Sequence, residues 1–331
     1  QEVHSLFEVL NKLRSEGKSI IFISHKLPEV LELCDSISIM RDGRMIQTLK
    51  NEPGLDSRTL ASLMVGRSID LHITKPPCKP GEVVLSLQGV CADPVSESSG
   101  VKNVTLDVHR GEIVGIAGVD GNGQTDLSEL IMGLRKASGG RMEFLGKDIT
   151  HSDTKQMRNL PIGYIPADRN HAAVVLDFSI RMNTALNHPD RKPYGSPLLM
   201  DFKNIAKITD EKMKEFNVSA TGSDELVGNL SGGNQQKVVL AREVGEKVDL
   251  IIAVYPTRGL DIDATNFVYE TMLKAREQGT AILYISTELE EILTLSDRIG
   301  VLYEGELVGI LPGENAEVEK IGLLMAGERV K

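Results

Sequence analysis

Two glycine-bearing segments of this chain hold the residue types that bind phosphate. Gly118-Val119-Asp120-Gly121-Asn122-Gly123-Gln124-Thr125 follows the apolar run Glu112–Ala117 and precedes Leu127, Leu130, Ile131 and Leu134 at helical spacing. Strand, glycine loop and helix in that order turn successive backbone N–H groups toward an anion, with the positive helix end behind them. Phosphate loops of this kind carry a lysine after the last glycine. Gln124 stands there instead, able to donate a hydrogen bond but bringing no charge, so weakened rather than abolished affinity is expected. Taken alone, the segment reads equally well as a tight turn. The second segment is Leu230-Ser231-Gly232-Gly233-Asn234-Gln235-Gln236-Lys237, followed by the helical pattern Val238–Arg242. Ser231 is a good N-cap, and the two glycines leave N–H groups open at a helix start, which makes a second anion site. A capped surface helix accounts for Ser-Gly-Gly but not for the whole octet.

These loops need strands and helices to hold them. Short apolar runs at Val83–Leu87, Glu112–Ala117, Ile162–Ile165, Leu250–Ala253 and Ala281–Ile285 alternate with helical patterns. That alternation predicts an α/β domain with a largely parallel central sheet. A repeat fixes the wider organisation. Gly17–Leu27 matches Gly279–Leu289, and the register set by Gly17 and Gly279 runs without a gap through Asp35/Asp297 to Gly43/Gly305. Both copies read as amphipathic helix, glycine stop, apolar strand, short helix and hairpin. In the first, Val3, Leu6, Phe7, Leu10 and Leu13 predict a helix ended by Gly17, Ser19–Ile23 a buried strand, and Asp42-Gly43 a hairpin turn. The expected organisation is therefore a tandem: 1–74 is the last part of a first unit, the proline-dense 75–81 a linker, and 82–331 a complete second unit.

Composition narrows the classes. With 41% hydrophobic and 25% charged residues the chain can bury a sizeable core and is expected to be soluble. A net charge of −10 without a long basic run argues against nucleic acid as a partner. Cys34, Cys78 and Cys91 have neither zinc-site nor disulfide-framework spacing and read as free thiols. No apolar run approaches the ~18 residues that a membrane-spanning helix needs. The chain starts at Gln1 with nothing like a signal peptide, as expected if it begins part-way through something larger.

Beyond the octet, Leu250–Ala253 leads into Pro256-Thr257-Arg258-Gly259-Leu260-Asp261. With Gly118–Thr125 upstream, this ordered set resembles the ATP-binding cassette proteins of membrane transporters over essentially the whole chain. The doubled unit, the Gly-Asn-Gln-Gln-Lys ending of the octet and Pro166-Ala167-Asp168-Arg169 are similar to the double-cassette ATPases of bacterial sugar and nucleoside importers. Gly121–Asp126 and Ile252–Asp261 resemble the nucleoside branch more than the ribose or galactose branch. The resemblance implies a P-loop fold with an antiparallel β subdomain and an α-helical signature subdomain at about 166–245. It implies ATP and Mg2+ as ligands. Gly118, Val119, Asp120, Gly121, Asn122, Gly123, Gln124, Thr125 and Asp126 would hold ATP phosphates, with the Thr125 hydroxyl on the metal. Ser231, Gly232, Gly233, Asn234 and Gln235 would face the ATP of a partner cassette, and Asp261 would reach across the pair. The implied partners are the first cassette of the same parent chain, membrane permease subunits and, indirectly, a solute-binding protein, at the cytoplasmic side of the membrane.

Departures from the family pattern bear on mechanism. The two residues before Pro-Thr are Asp and Glu in the family, for magnesium and for the attacking water; here they are Val254 and Tyr255. The histidine that senses the terminal phosphate falls at Thr287, whereas the first copy keeps it as His25. Loss of a general base alone costs about 10² to 10⁴ in rate. The expectation is a second cassette that binds ATP but turns it over slowly, lending its signature to a catalytic site on the first. The alternatives are a non-hydrolytic regulatory half and a soluble cassette protein outside transport. Asp168 and Arg169 stand where other cassettes have a glutamine, or form a local ion pair.

Overall fold

The computed structural model describes residues 2–24, 26–41, 43–65, 75–95, 98–245, 247–314 and 316–328. The chain forms two compact units, residues 1–74 with 261–263, and residues 75–260 with 264–331.

In the first unit, α1 (Glu2–Ser15) ends at Gly17, whose φ of +80° suits a residue without a Cβ. Then come α2 (Leu27–Leu33), β1 (Ser36–Arg41), β2 (Arg44–Lys50) and α3 (Ser57–Val65). The hairpin β1/β2 is antiparallel with a bulge at Ile39/Met40, and Ile37 and Ile39 pack with Leu27, Val30, Leu60 and Ala61. The predicted strand at Ser19–Ile23 does not form. Phe22 turns inward against Phe7, but Ile21 and Ile23 are each 93% exposed and no described strand of this unit lies beside them. A strand needs neighbours for its N–H and C=O groups, and the described residues of this unit supply none for this segment. His25 and Asp42 lie outside the described residues.

The second unit begins with β3 (Val83–Ala92) and β4 (Val101–His109), followed by β5 (Ile113–Ala117) and α4 (Gln124–Ile131). A second stretch runs β6 (Gly139–Phe144), β7 (Lys147–Asp148), α5 (Thr154–Met157), β8 (Ile162–Ile165), α6 (Ile180–Thr184), α7 (Phe202–Glu215) and α8 (Gly232–Glu243). The chain finishes with β9 (Leu250–Val254), α9 (Ile262–Glu277), β10 (Ala281–Ser286), α10 (Leu289–Leu295), β11 (Arg298–Tyr303), β12 (Glu306–Pro312) and α11 (Val318–Met325).

The central sheet has the order β12-β11-β5-β10-β9-β8, parallel except for β12 at its edge. β5, β9 and β10 are buried throughout, which is why they read as continuous apolar runs rather than alternating ones. The Val83 run belongs to a separate antiparallel sheet of order β4-β3-β6-β7. One core of Val, Leu and Ile joins the inner faces of the two sheets with Leu127, Leu130 and Ile131 of α4. Helices α6, α7 and α8 form the helical part. There Tyr194 is buried with Ala185 and Ile205, while Phe202 is exposed. The proline-dense 75–81 segment is tied to the second unit: the Lys75 ammonium donates to the Ser296 carbonyl and the Arg276 guanidinium to Pro76 O at 3.0 Å.

Candidate nucleotide-binding site

The C-terminal ends of β5, β10 and β9 lie side by side, with Ala117 opposite Ser286 and Val254 opposite Ile285. Ligands of open α/β sheets bind outside these strand ends. From Ala117 the chain enters the 118–123 loop, which is braced from outside. Ser99 N and Oγ donate to Gly121 O at 3.3 and 3.0 Å, and Gly305 N and Glu304 N donate to Asn122 O and Oδ1 at 3.0 and 2.8 Å. Gly123, the N-cap of α4, has φ +96°, and a Cβ there would lie 2.3 Å from Gly100 O. Only glycine fits that conformation and that gap.

Gln124 is 1% exposed, and its amide does not point to a phosphate space. Nε2 donates to Val119 O at 2.9 Å within its own loop, and the buried Oε1 has no partner. One of the two N–H donors of the amide is thus taken by the loop. Asp126 is 2% exposed and its carboxylate meets the Arg135 guanidinium at 2.5 Å, which leaves its backbone N–H as the group available to an anion. Val119, Asp120 and Gly121 line the exposed rim.

The β9 end carries the other departures. Val254 is fully buried. Tyr255 has φ +48°, donates its N–H to Ile285 O at 2.8 Å and is 8% exposed. Its phenol lies beside the Thr125 hydroxyl. Burial pushes its pKa up to about 12, Asp120 adds to the rise and Thr125 opposes it. These residues fit a divalent cation poorly. Magnesium takes six oxygen ligands, and here the Thr125 hydroxyl lies beside the Tyr255 phenol, while Val254 before it is aliphatic and buried in the core. Thr287, in the histidine's place, is exposed after Ser286.

Behind the strand ends, Glu291 is buried and gathers hydroxyls from Thr257, Ser286 (2.7 Å) and Tyr284 (3.1 Å). That carboxylate ties the Pro256-Thr257 turn to the end of β10, a role that no motif announced.

The signature segment starts α8. Ser231 is its N-cap, with Oγ accepting from Asn234 N at 3.4 Å and Asn234 Nδ2 at 3.1 Å. Asn234 Oδ1 accepts from Ser219 N at 2.8 Å, and Gln235 is buried with Nε2 on Val227 O at 3.2 Å. Asn234 and Gln235 thus shape the loop, leaving Ser231, Gly232 and Gly233 at the open helix start. At the other end of α8, Arg242 and Glu243 pair at 2.6 Å in a buried knot that the sequence reading missed. Arg242 reaches Ala173 O at 2.8 Å, and Glu243 accepts from Tyr164 N of β8 at 3.1 Å and Asn187 Nδ2 at 2.9 Å. The knot fixes the helical part to the central sheet and so positions the signature. Asp168 and Arg169 do not form the local ion pair. The Asp168 carboxylate accepts from Asn170 N, His171 N and His171 Nδ1 at 2.8–3.0 Å.

Comparison with known proteins agrees with this geometry. The family model described as ABC transporter matches residues 101–258. This segment is an ABC transporter ATPase domain. The chain is homologous to import ATP-binding proteins: 39% identical over 332 residues to the nucleoside import protein NupA of Lactococcus lactis, and 39% over 330 residues to the guanosine import protein NupO of Bacillus subtilis. It is 38% identical over 328 residues to the glucose import protein TsgD13 of Haloferax volcanii. These alignments cover 98–100% of this chain but only 60–65% of the relatives' own length. A solved dimeric cassette bound to ADP and Pi shares the fold with a TM-score of 0.59 at 22% identity, covering 69% of this chain and 98% of that one. No described helix is long and apolar enough to cross a membrane.

Proposed function

We propose that this chain forms the later part of an importer's two-cassette ATP-binding subunit, coupling ATP binding and hydrolysis to uptake of a nucleoside or a sugar. In this reading its signature, Ser231 to Gln235, closes over ATP held by the P-loop of the first cassette, the one to which His25 belongs, with Asp261 reaching across the pair. That composite site hydrolyses ATP with Mg2+. The chain's own pocket at 118–126 grips nucleotide phosphates through backbone N–H groups and turns over slowly. The subunit sits against permease subunits on the cytoplasmic face, and the nucleoside branch is favoured over sugars by the Gly121–Asp126 and Ile252–Asp261 runs.

One observation carries this reading. The signature stands open at the start of α8, while positions 124, 254, 255 and 287 hold Gln, Val, Tyr and Thr. Hydrolytic parts are lost and the lid is kept, as a half that serves its partner's site requires. The test is ATP turnover of the two-cassette protein after Gly232→Asp, which is expected to fall at least about a hundredfold; unchanged turnover defeats the reading. Gln124→Lys tightens ATP binding to this chain about tenfold if missing charge is what limits the pocket. A non-hydrolytic regulatory half is favoured by the folded-back Gln124. It predicts no ATP turnover in the two-cassette protein either.

A further inference from the structure

Arg169 opens the irregular turn 169–173, and its guanidinium lies against the start of α8. A Cβ on Gly232 would come 3.0 Å from Nη2 and 3.6 Å from Cζ, so the glycine is the space that the guanidinium occupies. The polar contacts of this cation are thin. Nη1 reaches Arg258 O at a long 3.5 Å, and Nε is buried with no partner. Among the described residues no carboxylate forms an ion pair with Arg169, and the adjacent Asp168 is taken up by its own turn and His171. Burial works against its charge.

The place is electrostatically wrong for a lone cation. A helix start carries about half a positive elementary charge, and cations are favoured at the opposite end. Here a half-buried guanidinium is held at the positive end of the 12-residue α8, against the half-buried first residue of the helix, Gly232. Each neighbour repels the other, and both are relieved by an anion that contacts the two together from the open side. Guanidinium forks match phosphate oxygens in a planar, two-point contact that a lone helix start cannot offer.

We propose that Arg169 is a phosphate-binding residue of the composite site, supplying a guanidinium, together with Ser231 and the α8 N–H groups, to the terminal phosphate of an ATP held by the partner cassette. This rests on the reading that the signature faces a partner's ATP, and it names the charge that the signature itself lacks. A side chain at position 232 presses on the guanidinium and makes it shift.

The experiment uses the two-cassette protein with its permease and compares Arg169→Met, Arg169→Lys and Gly232→Asp in steady-state turnover, with KM for ATP and inhibition by ADP as readouts. Arg169→Met keeps an unbranched flexible stem and removes the guanidinium and its charge. It is expected to raise KM for ATP about tenfold while the ADP inhibition constant stays within about twofold, because ADP lacks the phosphate that Arg169 meets. Arg169→Lys recovers part of the loss, since charge returns without the fork. If Arg169→Met weakens ATP and ADP alike, or changes neither while Gly232→Asp abolishes turnover, the Arg169 assignment is wrong and the composite site stands. If Gly232→Asp also leaves turnover unchanged, the signature reading fails and Arg169 falls with it.

Discussion

The repeated module is present twice, and its two copies fold to different extents. Residues 36–50 and 298–312 make the same antiparallel hairpin, with the same bulge, at Ile39/Met40 in one and Val301/Leu302 in the other. The serine–glutamate contact recurs as Ser24 to Glu29 at 3.2 Å and Ser286 to Glu291 at 2.7 Å. So does the ion pair from helix to hairpin. Arg14 meets Asp35 at 3.2 Å through one nitrogen on the surface, whereas Arg276 grips both oxygens of Asp297 at 2.8 Å with both side chains at least 93% buried. The strands part company. Ile21 and Ile23 are 93% exposed, and their counterparts Leu283 and Ile285 are completely buried between β5 and β9. Local hydrogen bonds and turns follow the module wherever it goes. A central parallel strand exists only when its neighbours are supplied.

This contrast can be broken by paired substitutions. The largest effect is expected at Asp297, which also accepts from Ile113 N at 2.9 Å and so anchors the start of β5. Asp297→Ala strands a buried guanidinium and costs about 3–5 kcal/mol in urea unfolding. Asp35→Ala costs less than about 0.5 kcal/mol, as an exposed pair should. Equal losses at the two positions contradict the comparison. Next, Ile285→Ala removes about 3 kcal/mol and Ile23→Ala almost nothing. Hydrogen exchange adds a check without mutation: amides of residues 281–285 are protected and those of residues 20–23 exchange quickly. Slow exchange in 20–23 means that a ladder exists there.

Glu291→Ala leaves the hydroxyls of Thr257, Tyr284 and Ser286 without their acceptor and costs about 2 kcal/mol, against a few tenths for Glu29→Ala. The smallest effect sharpens the contrast by pH, because Tyr255 belongs to the second unit alone. Its phenol titrates near 10 in an unfolded chain and at about 12 in the folded one. The native state therefore holds its proton after the unfolded state has lost it. The contribution is whole below pH 10 and disappears as pH climbs toward 12. Tyr255→Phe removes about 1 kcal/mol of alkaline destabilisation between pH 9 and 11, read as a flatter melting-temperature profile; a profile parallel to that of the parent refutes the assignment.

Much of the fold was legible along the chain. Ile162–Ile165 is a strand between the very residues its apolar run marked, Leu250–Ala253 gained one residue, and both anion-site loops sit between a strand or turn and a helix as their glycines and Ser231 required. The residues at positions 124, 254, 255 and 287, Gln, Val, Tyr and Thr, could also be named without coordinates, since motif spacing is a property of sequence. Ser19–Ile23 could not be read correctly. A run of Ile and Phe reports hydrophobicity, and hydrophobicity does not say whether pairing strands are at hand.

The sequence alone settled the ordered set of loops, the internal repeat and the Gln, Val and Tyr that stand at positions 124, 254 and 255, because composition and spacing are local. Tertiary structure alone decided where side chains spend their hydrogen bonds and charges. Gln124 turned back on Val119, Tyr255 came to rest beside Thr125, and Arg169 reached Gly232, its neighbour in space though far from it along the chain. Such contacts depend on which strand ends and helix starts are brought side by side, and that is fixed by the packing of the whole sheet and its helices rather than by any stretch of residues.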